Sequence, residues 1–460
     1  MTCARFSEKE ATKAPTARKT DKGDLSLTKF EELALATAPV NSDSRADNIL
    51  RVALDIGEGL LKSGAEIRRV EITIEKICKA YGAAHVEVFS INCLIVGAVR
   101  MNDGSYSSQN RRITNVSNHL LCLERYNALS RRICVETPDF DVVDDEIKKI
   151  KSKRVYPFYL TLIGHILASG GFALFFGGSI RDFIAAGIIG IVVALLGKIP
   201  NDHLNDVTST LLTSFAAGVL SCLLVMAGVG ENMDMVAIGT IMLLIPGLSL
   251  GNAMRDLLGG DTLAGTLKVV QACINAVVIA IGYAMAILLL GRFCPVPSGE
   301  LPFGEVGRII AGLISSLAGT VGFALIFKLA PSRLWVAGLG GVLTFIVYEV
   351  SVQLGANILL ASFIAALFMA LFSEASARLF RAPTVLFLFP CAIPIVPGSA
   401  LYYSMFHLLS SDFEASLNSL KVTGQTVLGI ALGLSLSTIV VGFILQASIA
   451  LKKRKSNKNA

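Results

Sequence analysis

Ile245-Pro246-Gly247-Leu248-Ser249 and Val396-Pro397-Gly398-Ser399-Ala400 decide the fold. Each interrupts an apolar segment, and the two lie 151 positions apart. Beyond the breaks the same residues recur at that offset: Met254 and Met405, Leu257 and Leu408, Leu258 and Leu409, Asp261 and Asp412. Proline removes a backbone donor and clashes with the preceding turn, and glycine weakens a helix further. In lipid the freed backbone groups need protein, ligand or water as partners. Two such interruptions at equivalent points of two similar halves point to the solute site of a secondary transporter.

The rest of the chain fits that setting. It has 460 residues, 17% of them charged, and a mean hydropathy of +0.63. Most of the charge lies before residue 155 and after residue 450. Between them, ten apolar segments are each long enough for about 30 Å of hydrocarbon: 158–178, 182–199, 207–228, 235–256, 264–291, 306–328, 333–353, 357–377, 384–408 and 423–450. The repeat offset maps segments one to four onto six to nine, and five onto ten with a small slip. Five spans is an odd number, so tandem halves must insert in opposite orientations. The expected fold is a mostly α integral membrane protein: ten transmembrane helices as two inverted five-helix repeats, with a small α+β N-terminal cytoplasmic domain. The boundaries read as a disordered tail over 1–46, the cytoplasmic domain over 47–154, repeats over 155–300 and 301–453, and a basic tail over 454–460.

Basic residues set the orientation. With a cytoplasmic N-terminus, the inner flanks hold Lys148, Lys149, Lys151, Lys153, Arg154, Lys198, Arg255, Lys268, Lys328, Arg333, Arg378, Arg381 and the cluster at 452–455. The outer flanks hold Arg181, Arg292, Arg308 and Lys421. This asymmetry predicts both termini in the cytoplasm, and the cytoplasmic (inner) membrane is the expected location. The net charge of +6 therefore belongs to membrane flanks, and without interleaved stacking aromatics no nucleic-acid partner is expected. The nine cysteines show no CxxC pair or metal spacing, so reduced thiols are expected, with no metal and no cofactor. The first residues lack the apolar core of a secretory leader.

In the polar region, Asp47 is read as capping a helix through Leu61 that stops at Gly64. A second helix runs from Ile67 to Tyr81, with Gly82 as its stop. Strand-like residues follow at Val86–Ile91 and 94–99, with a turn at Asn102-Asp103-Gly104. A third helix is expected over about 116–133 and a fourth over 141–153. Ser63, Glu66, Arg68, Arg69 and Glu71 crowd one helix start, which is ordinary helix design as well as a conceivable site.

The candidate transport residues follow the breaks. Pro246 lies about 11 residues into its span, roughly 16 Å along the axis, and Pro397 reaches a similar depth from the other face. Freed N–H groups there suit a substrate carboxylate. The expected substrate-binding set is Pro246, Gly247, Ser249, Asn252 and Arg255 with Pro397, Gly398, Ser399, Tyr402 and Tyr403. Asp256 and Asp261 are the proton-coupling candidates, because charges within spans are costly and usually face a cavity or a partner. A gate, or a structural pair between Arg255 and Asp256, is the alternative. His165 and Glu349 allow a proton relay or simple packing. The loop Asn201, Asp202, Asn205 and Asp206 reads as solvated.

At Leu61-Lys62-Ser63-Gly64-Ala65-Glu66-Ile67-Arg68-Arg69-Val70-Glu71, at Pro246–Gly265 and at Pro394–Tyr402 the chain resembles the threonine/serine exporter family. That family includes split two-protein forms implicated in dicarboxylate export. The resemblance runs from about Asn48 to Lys452. It implies proton-driven export of small hydrophilic metabolites, threonine and serine in the named case, ten spans and a cytoplasmic N-terminal domain. The expected partners are a small solute, protons and the bilayer, with homo-oligomerisation open. A succinate-like dicarboxylate cargo is the first alternative. A membrane-anchored enzyme or sensor is the second, although no Ser-His-Asp, metal or phosphate-loop constellation stands out.

Overall fold

The computed structural model describes residues 45–113, 117–152, 157–198, 205–245, 253, 256–257, 262–290, 293, 305–409 and 411–458. The first helix, α1 (Arg45–Lys62), buries Ile49, Leu50, Ala53, Leu54 and Leu60. Asp47 sits in its first turn rather than capping it, where its charge still complements the helix dipole. After Gly64, whose φ of 93° suits glycine, α2 (Ile67–Ala80) buries Ile67, Val70, Ile74, Ile77 and Cys78. Gly82 (φ 95°) turns the chain into an antiparallel sheet of β1 (Ala83–Ile91), β2 (Leu94–Met101) and β3 (Tyr106–Arg112), ordered β1-β2-β3. The Asn102–Gly104 turn closes with Met101 N–H donating to Ser105 O at 2.9 Å. Leu50 and Leu54 of α1 cover Gly97 of β2. Two further helices, α3 (Leu120–Glu136) and α4 (Phe140–Ser152), complete this region. Arg51 ties α1 to α4 through paired bonds to Asp144 at 3.0 and 2.9 Å.

The membrane-like part begins with α5 (Phe158–Phe175), α6 (Ile180–Leu196), α7 (Asp206–Met226), α8 (Met233–Ile241) and α9 (Thr262–Leu290). The second half brings α10 (Glu305–Ile326), α11 (Leu334–Gln353), α12 (Ile358–Leu379), α13 (Val385–Ala392), α14 (Gly398–Leu409) and α15 (Phe413–Lys458). The starts of α5 to α9 recur at α10 to α13 and α15 within four residues of the 151-residue offset. Seven described helices are long and apolar enough to cross a membrane, and eight if the bent pair α13–α14 is one span. The ten expected segments are therefore not all matched by long helices. Segment two is the 17-residue α6, and segment four is the 9-residue α8, a turn over 242–245 and then residues outside the description. Segment ten starts early: α15 begins at Phe413, because Asp412 accepts from Ala415 N–H at 3.1 Å and no proline follows. Apolar side chains face outward around the bundle, Phe443 at 69% and Leu289 at 61% exposure among them, as lipid-facing surfaces require.

The halves meet along α5 and α10, and small residues set that contact. A Cβ on Gly171 would stand 2.9 Å from the Gly319 nitrogen, and one on Gly322 would stand 2.5 Å from the Ala168 nitrogen. At the repeat offset Gly171 corresponds to Gly322 and Ala168 to Gly319. The two contacts are thus one contact seen from each half. Gly164 faces Gly322 and Leu325, whereas Gly171 faces Ser315 and Gly319, so these equivalent helices run antiparallel. Close backbone approach through glycine is the usual device for packing helices in lipid.

The N-terminal region docks on the second half. Leu120 N–H donates to Phe327 O at 2.9 Å, Arg333 pairs with Glu124 at 3.2 Å, and Arg131 donates to Arg381 O at 3.1 Å. One apolar core runs from Leu120, Leu123 and Ile133 to Leu329, Val336, Val385 and Phe387. Lys328, Arg333 and Arg381 at this junction are all residues that the charge asymmetry assigns to the cytoplasmic side.

Candidate transport site

The second break has a defined geometry. Pro390 lies within α13, a tight turn occupies Ile393–Ile395, and Val396 is extended at φ −68°, ψ 127°. The axis bends by 52° between the two arms. Gly398 N–H turns back to Val396 O at 2.8 Å, and Leu401 N–H to Pro397 O at 3.1 Å opens α14. First-turn N–H groups have no acceptor within their own helix. Ser399 and Ala400 present that turn to a cavity of about 460 Å³, also lined by Pro394–Pro397. Such a volume suits a small solute. Phe172 and Phe175 of α5 with Phe176 just after it, Phe345, Tyr348 and Glu349 of α11, and Thr426 of α15 form other walls. Among the described lining residues Glu349 is the single charged side chain, and it accepts from Gln353 Nε2 at 3.3 Å.

The turn that follows α8, over residues 242–245, approaches from the other half. After α8, Leu244 N–H and Ile245 N–H both donate to Ile241 O, at 2.8 and 3.0 Å. Gly398 lies directly on this turn. A Cβ there would be 2.8 Å from Met242 Cε and 3.7 Å from Ile245 Cδ1. The start of α14 and the turn after α8 are therefore in contact. Tyr402, one turn into α14, is buried with Val236, Ile241 and Tyr283 of the first half. Its ring meets Tyr283 edge-on at 6.2 Å, and the Tyr283 hydroxyl bonds Thr240 Oγ1 at 2.6 Å.

The expected residues divide into three groups. Pro397 and Ser399 line the cavity, and Gly398, Tyr402 and the half-buried Tyr403 join the halves beside it. Pro246, Gly247, Ser249, Asn252, Arg255 and Asp261 lie outside the described residues. Asp256 accepts from Lys268 Nζ at 2.6 Å, in a pair whose side chains are 15% and 24% exposed, and it is not among the lining residues. The anticipated ion pair at this point thus has Lys268 as a described partner. His165 has its Nδ1 against Thr161 O at 2.8 Å, a packing histidine's arrangement. Among the described residues no group of three His, Cys, Asp or Glu could hold a metal.

The aromatic wall of α5 was not singled out in the sequence, since phenylalanines at the end of an apolar segment look like any lipid-facing stretch. Glu349 carried the available signal, an ionisable residue inside a span. In the N-terminal region, Glu71 accepts from Ser90 N–H at 2.8 Å and Arg69 donates to Asn127 Oδ1 at 2.6 Å, so part of that charge cluster fixes α2 to its neighbours.

Two family models match the chain, both for threonine/serine exporters, over residues 51–290 and 312–440. The chain is similar to the threonine/serine exporter of Corynebacterium glutamicum, 24% identical over 447 residues, 92% of this chain and 86% of that protein. It is also similar to the protein named "Probable succinate transporter subunit YjjP" of Escherichia coli (strain K12). That likeness is 24% over 259 residues, 53% of this chain and 95% of the relative. No solved structure is a significant match.

Proposed function

The chain belongs to the threonine/serine exporter family, and on that premise we propose that it exports a small amino acid, threonine or serine, from the cytoplasm in exchange for protons. The supporting observation is the cavity at the second break, which has two unlike poles. The first turn of α14 offers N–H groups and a positive dipole end to a carboxylate. Glu349 offers a carboxylate to an ammonium or to a proton. One acidic group that holds either the cargo's ammonium or a proton makes their occupancy mutually exclusive, which is the elementary requirement of antiport. Asn252, Arg255 and Asp261 would complete the site from the first half. Asp256 is held by Lys268, which suits a fixed structural charge better than a travelling proton. In this reading ten spans form two inverted halves in the inner membrane, with both termini cytoplasmic.

The dicarboxylate reading is favoured by the Escherichia coli relative. Glu349 argues against it, because a second cargo carboxylate would meet a like charge. Counterflow in proteoliposomes decides between them. Threonine-loaded vesicles should take up labelled threonine and serine, with succinate competing at least about ten-fold more weakly. Glu349→Gln should lower exchange by about ten-fold or more and remove its dependence on an imposed pH gradient. Succinate exchange at rates equal to threonine, or full pH-driven flux in Glu349→Gln, overturns this assignment.

A further inference from the structure

A second cavity, of about 190 Å³, lies where the N-terminal region meets the second half. Glu66 and Arg69 of α2 wall it on one side. Glu374 of α12, Thr384 before α13, and Ser437 and Thr438 of α15 wall it on the other. Leu388 of α13 also lines it, about ten residues, or roughly 15 Å, ahead of the break at Pro397. The first cavity thus sits at the bend of this helix pair, and the second at its start. The outer one is walled by Glu349, Val422 and Thr426, near the helix ends that the charge asymmetry assigns to the outside. The inner one is roofed by the N-terminal region.

Its chemistry is of mixed sign. Arg69 spends one Nη2 bond on Asn127 at 2.6 Å, and a guanidinium has five N–H donors. Burial lowers the basicity of Arg69, while Glu66 and Glu374 oppose that shift, so both carboxylates lie within electrostatic reach. Glu374 accepts from Arg378 Nε at 2.9 Å and from Thr384 Oγ1 at 2.8 Å. Each carboxylate oxygen has a second lone pair. A planar cation facing a carboxylate across a small cavity matches a zwitterion, whereas a dicarboxylate would place one charged end against Glu374.

We propose that this junction is a cytoplasmic binding site for a free α-amino acid, with the cargo's carboxylate on Arg69 and its ammonium on Glu374. The N-terminal region is then part of the transport path: it completes the site at which cargo is taken up before reaching the break. This rests on the exporter reading, but its test is separate. Full-length protein in detergent, titrated with radiolabelled L-threonine, should hold one ligand at the junction and one at the outer cavity. Glu349→Gln should retain only the junction ligand. Adding Arg69→Gln or Glu374→Gln to that variant should abolish the remaining binding. Threonine methyl ester and the α-hydroxy acid analogue, each lacking one charge, should compete about ten-fold more weakly than threonine.

The two added substitutions act from different elements, so loss of the α2 contact in Arg69→Gln cannot by itself produce the result in Glu374→Gln. If Glu349→Gln protein binds no threonine, or binds it as well with Glu374→Gln added, the junction site is refuted. If Glu349→Gln still holds both ligands and Glu374→Gln removes one, the junction stands and the outer-cavity assignment fails.

Discussion

His119 holds the start of α3 with an uncharged ring. Its Nδ1 accepts from Cys122 N–H at 3.3 Å, the His119 backbone N–H donates to Ser63 O at 3.2 Å, and the backbone N–H of the next residue, Leu120, donates to Phe327 O. Burial, with a smaller contribution from Lys328 and a lesser one from Arg125, lowers its pKa from 6.5 to about 4. Protonation would turn the capping acceptor into a donor and add a cation beside Lys328. The unfolded chain binds this proton at a higher pH than the folded chain does. Stability is therefore complete above about pH 6.5 and declines as pH falls through the window toward about 4. Solvent screening at a half-buried ring reduces the effect to the order of 1 kcal/mol. Thermal unfolding of the purified protein should show a lower midpoint at pH 5 than at pH 7.5, with a flatter profile in His119→Asn, which keeps a capping oxygen. An unchanged slope in that variant would assign the pH effect to another group. No sequence signal marked His119, because a capping role depends on the backbone turn beside it. Glu349 was legible as a charge in an apolar segment, yet its place on a cavity wall depends on α5, α10 and α15 converging there.

At the scale of elements, the Pro397-Gly398 break was legible, since proline and glycine act on the backbone wherever they occur. It became a 52° bend whose second arm opens with Leu401 N–H donating to Pro397 O, while the Pro246-Gly247 break lies outside the described residues. Two strand-like stretches and the Asn102-Asp103-Gly104 turn were also readable, and the structure pairs the strands as antiparallel hairpins. The start of α15 was not, because it hangs on a single Asp412 cap. What the sequence left open was how the second break meets the first half. Gly398 settles that contact by allowing Met242 and Ile245 against its backbone. Alanine can be absorbed there by rotation of the flexible methionine side chain, but a branched residue must displace the α8 turn. Gly398→Val should therefore reach the membrane in normal amount and lose most threonine exchange, while Gly398→Ala retains a substantial part. Overpacking of this kind costs about 1–3 kcal/mol, enough to shift a conformational balance without unfolding the protein. Equal exchange by both variants would show that the contact is not needed for transport.

Across the whole molecule, one arrangement explains the repeat, the charge asymmetry and the docking surface together. Equivalent helices α5 and α10 pack antiparallel through reciprocal glycine contacts. Antiparallel equivalents are what two oppositely inserted halves require, since a span and its counterpart then cross the bilayer in opposite directions. The N-terminal region binds the loop at Phe327–Arg333 and the loop at Phe380–Val385, so those loops share its side of the membrane. The turns at Gly228 (φ 74°) and Gly355 (φ 87°) fall at the far ends of α7 and α11. Single cysteines at these turns, in a chain whose native cysteines are replaced, should both react with a membrane-impermeant maleimide added outside intact cells. A cysteine at Lys328 should react only after permeabilisation. Labelling of Gly228→Cys and Gly355→Cys from opposite faces would break the inverted arrangement, because α7 and α11 could not then both end outside. Labelling of Lys328→Cys from outside would instead turn the whole protein over and put the N-terminal region, with its Arg69 cavity, on the wrong side for export.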